Sequence, residues 1–131
     1  MYSSRSLCIV ASQLPITGAN TPLDLRTVAV PAGITHWFPT RVSLYCEGTG
    51  NSLAAATLGI WTSTGGLGTS LLSAASGTLT NLTTIGAVQT LAVSTATMCF
   101  GTTGITFRQD LPAAASATGL ITALVYLDAF G

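Results

Sequence analysis

The apolar residues of this 131-residue chain fall into short runs that alternate with polar positions. None keeps the three- and four-residue spacing of an amphipathic helix. "TRVSLYCE" (40–47) is the clearest case: Val42, Leu44 and Cys46 share one face, and Arg41, Ser43 and Tyr45 the other. "LDLRTVAV" (23–30) predicts a second alternating strand, with Leu23, Leu25, Val28 and Val30 inward and Asp24 and Arg26 outward. Further strands are expected at 5–11, 34–38, 54–62, 69–74, 77–83, 88–94, 97–101, 105–109 and 118–128, with Pro39 separating 34–38 from 40–47. Turn signals stand between them: "PAG" (31–33), "GTGN" (48–51) and "STGGLG" (63–68). "DLPAAASA" (110–117) reads as a loop, because Pro112 lacks the N–H a ladder needs. Short strands with turns every 8–12 residues or so predict an all-β, single-domain antiparallel β-sandwich of jelly-roll type, with about eight to ten strands. The expected division is an extended N-terminal arm with the first strand over 1–22 and the sandwich over 23–131.

The last strand departs from the alternation. From Leu120 to Leu127 every residue is apolar except Thr122 and the hydroxyl of Tyr126. A strand apolar on both sides is covered on both sides. In a two-layer sandwich the core covers one face, and the simplest cover for the other is a second subunit.

Composition strengthens that expectation. Charged residues make up 6% of the chain, against about 25% in ordinary soluble proteins. The cations are Arg5, Arg26, Arg41 and Arg108, the anions Asp24, Glu47, Asp110 and Asp128, and no charge lies between Glu47 and Arg108. A neutral surface favours association. Four scattered arginines cannot form the basic patch a nucleic-acid binder needs. The uncharged stretch Leu111–Leu127 falls short of the roughly 20 residues of a spanning helix and contains Pro112, Gly119 and several β-branched residues. No membrane partner is expected. "LCIVA" after Arg5 is too short for the apolar core of a signal peptide.

Candidate chemistry changes the picture little. His36 is the only histidine, so a hydrolytic triad would need it together with Asp24, Asp110 or Asp128, and no G-x-S-x-G elbow is present. Cys8, Cys46 and Cys99 are too widely spaced for a disulfide framework or for the C-x₂₋₄-C pair of a zinc site, and read as buried free thiols. Glu47, Asp110 and Asp128 lack the oxygen-rich loop of a calcium site. "TGGLGTS" (64–70) lacks the lysine of a phosphate loop, and "NLT" (81–83) fits a glycosylation sequon without an export signal to use it. Trp37 and Trp61 sit inside strands, where packing accounts for them better than a sugar platform. Neither a catalytic residue nor a cofactor or metal is expected.

"RVSLYCEGTGNSLAAATLGIWTSTGGLGTSLLSA" (41–74) and "GITFRQDLPAAASATGLITALVYLDAF" (104–130) have a layout of strand, Gly-rich turn, "GIW" strand, Ala-rich loop and terminal apolar strand. That layout resembles small virion proteins of tailed bacteriophages, in particular β-sandwich capsid decoration (cement) proteins. The resemblance covers about half of the chain and is one of layout and composition. It implies a non-enzymatic homotrimer on the outer surface of the virion, bound to the major capsid protein. The contact residues expected on this reading are Leu120, Thr122, Leu124, Tyr126, Leu127 and Trp61. Two alternatives stay open: a carbohydrate- or receptor-binding module of a phage fibre or tail, and a self-assembling coat or minor tail protein.

Overall fold

Two antiparallel sheets pack face to face in the computed structural model, which describes residues 4–17, 22–49, 53–54, 56–73, 77–94, 98–100, 104–109 and 118–131. The strands are β1 (Ser4–Ile16), β2 (Leu23–Val28), β3 (His36–Thr49), β4 (Thr57–Trp61), β5 (Gly77–Thr78), β6 (Val88–Leu91), β7 (Cys99–Phe100), β8 (Ile105–Gln109) and β9 (Gly119–Phe130). The larger sheet runs β1-β9-β3-β6, with β7 also paired to β3, and the smaller runs β2-β8-β4-β5. The chain is an antiparallel β-sandwich. Its first three connections each cross from one sheet to the other.

The core lies between the sheets. The larger sheet contributes Ile9, Ala11, Leu14 and Ile16 from β1, Trp37, Val42, Leu44 and Cys46 from β3, and Ile121, Ala123, Val125, Leu127 and Ala129 from β9. The smaller sheet answers with Leu58, Ile60, Ile105 and Phe107, and the connections add Leu53, Leu71, Leu79 and Leu82. At roughly 25 cal/mol per Å² of apolar area, burial of such residues is the main favourable term in the fold.

Bulges explain where the simple alternation breaks. The segments 34–38 and 40–47 are one strand, because the β3–β9 register shifts between Pro39 and Arg41. Thr40 is the extra residue, and its hydroxyl donates to the Tyr126 carbonyl at 3.2 Å. Inward positions therefore change from odd (Trp37, Pro39) to even (Val42, Leu44, Cys46). β1 likewise continues past Ala11 to Ile16 through a bulge at Ser12 and Gln13, with Gln13 at φ 54°, and its inward set passes from Ile9 and Ala11 to Leu14 and Ile16. The stretch 1–22 thus holds a full strand of the larger sheet.

The third bulge, between Asp24 and Arg26 in β2, changes an expected facing. Asp24 pairs with Arg108 on the outer side, whereas Arg26 is the register partner of inward-facing Phe107 yet stays exposed at the margin, where it reaches across to donate to the Ser12 carbonyl of β1. Leu23 is exposed, while Leu25 and Val28 pack at the margin of the core. The strand expected at 69–74 is not formed over its described residues, 69–73, which make single bridges, Trp61 to Ser70 and Leu72 to Val93. Of 77–83 only Gly77–Thr78 is strand, and the chain then turns so that Leu79 and Leu82 drop into the core. The expected loop at 110–117 lies outside the described residues.

Two buried glutamines tie the layers together. Gln109 of β8 is fully buried; its amide donates to the Thr17 carbonyl at 2.8 Å and accepts from the Thr17 N–H at 3.2 Å. Gln89 of β6 does the same in the other direction, donating to the Thr78 carbonyl at 2.7 Å and accepting from the Asn81 N–H at 3.0 Å. Each primary amide matches a backbone donor and acceptor that a sheet ladder cannot serve.

Candidate functional site

The two-faced apolar strand is β9, which lies between β1 and β3 in the larger sheet. Its odd-numbered residues from Ile121 to Ala129 are fully buried in the core. Its even-numbered residues form the spine of the outer face. Reading across the sheet, Tyr126 stands between Cys8 and Arg41, Leu124 between Val10 and Ser43, and Thr122 beside Tyr45. β6 extends this face, with Val88 opposite Tyr45.

This outer face is largely apolar and carries a single charge in its middle. Val10, Tyr45, Val88 and Phe100 are exposed at 52%, 40%, 51% and 63%, more than a solvated sheet face needs. Its one central charge, the Arg41 guanidinium, lies over the Tyr126 ring at 4.3 Å and is partly neutralised by the ring's electron-rich face. At the end where His36 lies, the His36 and Phe100 rings meet at 5.4 Å, and Phe38 and Phe130 at 5.9 Å. Towards the opposite end a shallow groove of about 720 Å³ is bounded by Gln13, Tyr45, Glu47, Ile85, Leu120 and Leu124.

The expected contact residues divide by strand parity. Leu120, Thr122, Leu124 and Tyr126 are on this outer face. Leu127 is fully buried on the inner face, where it serves the protein's own core. Trp61 is half-buried on the smaller sheet, opposite Thr106. It is therefore remote from the other four. The sequence signal missed Val10, Val88 and Phe100, since each sits in a strand whose partner is set only by the sheet order.

The candidate chemical groups are separated. His36 is exposed, and its Nδ1 lies 3.1 Å from the Thr35 hydroxyl. Asp24 is on the other sheet. It accepts from Arg108 Nη1 at 2.7 Å and from the Gly65 N–H at 2.9 Å. Partial burial works to raise its carboxyl, but the Arg108 and Gly65 bonds prevail and hold it below the ordinary aspartate range. This pair docks the 64–66 turn against β2 and β8. Asp128 takes a 3.5 Å bond from the Ser6 hydroxyl, and Asp110 is outside the described residues. Among the described residues no group of three or more His, Cys, Asp or Glu side chains is placed to hold a metal ion. Trp37 is fully buried, with its indole N–H donating to the Phe100 carbonyl at 3.2 Å.

The cysteines are all free, but they are not alike. Cys46 and Cys99 are buried, and burial pushes both thiols up; for Cys46 the Gly48 N–H pulls weakly the other way. Cys8, expected to be buried, is exposed, because it falls on the outward parity of β1.

In sequence the chain matches no protein-family profile and no curated protein. In structure it is similar to a chain of the cyanophage Pam1 capsid asymmetric unit, at 18% identity and a TM-score of 0.47, over 98% of this chain and 83% of that one.

Proposed function

We propose that this protein is a non-enzymatic structural component of a phage virion: a capsid decoration (cement) protein that binds the major capsid protein on the outer surface of the shell as a homotrimer. The observation that carries the reading is the outer face of the larger sheet, where Val10, Tyr45, Val88 and Leu120 leave apolar surface exposed around half-buried Leu124 in a chain with very little charge. Such a face is suited to area-based contacts. A standard interface covers about 1,600 Å² in total. Repetition around a shell turns modest affinity at each site into high avidity. Contacts made by uncharged groups also depend little on ionic strength. The strand order, β1-β9-β3-β6 facing β2-β8-β4-β5, supports reading the sandwich as a jelly roll, an architecture found in capsid proteins.

The test is the solution mass by light scattering at low and high salt, followed by co-sedimentation with shells of the major capsid protein. A salt-independent oligomer that binds shells, and loses both properties in Leu124→Arg, is expected. A monomer that ignores shells would overturn the reading and favour a fibre or tail binding module. Particles formed by the protein alone would point instead to a self-assembling coat protein.

A further inference from the structure

The outer face of the larger sheet is patterned in charge and in relief. Arg41 and Glu47 both stand on it from β3, Arg41 over the Tyr126 ring and Glu47 at the rim of the groove with Tyr45 and Leu120. Both are exposed, and among the described residues neither is in an ion pair. Between them two rows of side chains cross the sheet, one with Ser43 and Leu124, the next with Tyr45 and Thr122. Ser43 and Thr122 are recessed, at 7% and 9% exposure, whereas Tyr45 at 40% and half-buried Leu124 stand above them. High and low positions therefore alternate on the diagonal.

We propose that this face packs against the same face of a second copy, about a two-fold axis that lies between the two sheets and runs across the strands at the level of Leu44. Each strand then lies over its own copy, antiparallel, and every contact occurs twice. Arg41 meets the partner's Glu47. Tyr45 stands over the partner's recessed Ser43, and Leu124 over the partner's recessed Thr122. Packed sheets keep their strands within about 30° of alignment, which this axis allows. The contact goes beyond the virion reading and does not rest on it, because it concerns the free chain. Two trimers can pair through it as two single chains can, so the number of copies is even.

Charge selects the second copy and the axis together. A guanidinium covered by an apolar surface without a counter-charge is costly, so whatever covers this face must bring an anion to Arg41. The chain itself carries that anion on the same strand, with an apolar centre between. A two-fold axis along the strands does not deliver it. Over β3 such an axis sets Arg41 on the partner's Arg41, and over β9 it sets Arg41 on the partner's Cys8. With the axis across the strands both charges are paired, and Asp128 falls past the partner's Gly119, where β9 begins, and meets no like charge. The area is also sufficient. Four strands about 4.8 Å apart, and the 12 residues of β9 at about 3.3 Å each, span roughly 19 by 40 Å, close to the roughly 800 Å² per partner of a standard interface.

A charge swap tests the pairing, read by sedimentation equilibrium of the full chain over a concentration series. The native protein is expected at an even multiple of the 13.2 kDa chain mass. Arg41→Glu and Glu47→Arg each oppose like charges twice, and each is expected to raise the dissociation constant at least about tenfold. The thermal transition is retained in both, because both side chains are exposed. Arg41→Glu combined with Glu47→Arg restores opposite charges at both contacts and is expected to return the native mass. Single variants that associate as tightly as the native chain would overturn the proposal, and so would a double variant that stays dissociated. A native mass that is an odd multiple of the chain, whether monomer or lone trimer, would overturn it too. Co-sedimentation with shells reads the virion proposal separately: a chain that pairs in this way and ignores shells strikes that reading alone.

Discussion

Replacing Gln109 tests how the two sheets are held. Its side chain is fully buried and makes two bonds to the Thr17 backbone, at 2.8 and 3.2 Å. Gln109→Leu keeps the volume and removes both bonds. Each is worth roughly 0.5–1.5 kcal/mol net, and the half-buried position of Thr17 lets water recover part of the loss. About 2 kcal/mol of destabilisation is expected. At roughly 2.1 cal/mol/K per residue, a chain of 131 residues has an unfolding entropy near 0.28 kcal/mol/K, so the melting temperature falls by about 7 °C. Gln109→Glu sharpens the test. A protonated carboxyl can still donate to the Thr17 carbonyl and accept from its N–H, but a buried carboxylate cannot donate. The folded pKa of that glutamate is therefore raised above its unfolded value of about 4.3. Its stability is fully present below about pH 4.3 and declines by up to about 1.4 kcal/mol per pH unit until the folded pKa is reached. The assay is urea unfolding of both variants and the native chain from pH 4 to pH 8. A Leu variant as stable as the native protein, or a Glu variant with the native pH dependence, would refute an inter-sheet role for this amide.

The remaining predictions concern packing, charge and backbone. Leu127→Ala removes a fully buried side chain and is expected to cost about 2–5 kcal/mol in urea unfolding, whereas Leu124→Ala on the outer face costs under about 1 kcal/mol and weakens association instead. Because Arg108 and Gly65 depress Asp24 in the folded state, its contribution is present above its unfolded pKa and lost as pH falls through its lower folded value. Asp24→Asn should therefore remove part of the acid sensitivity below about pH 4, by no more than about 1 kcal/mol for this partly solvated pair. Gly68 has φ +76°, and a Cβ there would lie 2.6 Å from Thr62 Oγ1 and 3.3 Å from the Ser63 backbone nitrogen. Gly68→Ala should destabilise by about 2 kcal/mol, read as a lower urea midpoint with an unchanged slope.

Period-two patterning lies in the local order of residues, so the sequence alone established an all-β chain and the strand character of 40–47, 105–109 and 118–128. The two apolar faces of the last strand were also readable in it, as was the shortage of charge that favours association. Which of those faces is which was not readable. Leu127 looked equivalent to Leu124 until the sheet order placed β9 between β1 and β3 and directed the odd residues at the opposing sheet. Bulges at Ser12–Gln13, Leu25 and Thr40 reset the parity, and nothing in the strand's own composition marks where they fall. Cys8 falls on an outward position, and Arg26 comes opposite inward-facing Phe107 while staying exposed, for that reason. The outer face, which joins β1, β3, β6 and β9 from distant parts of the chain, exists only once the strands are paired. A local pattern specifies the faces of a strand, whereas its neighbours and the side that meets the core depend on the long-range packing of the sheets.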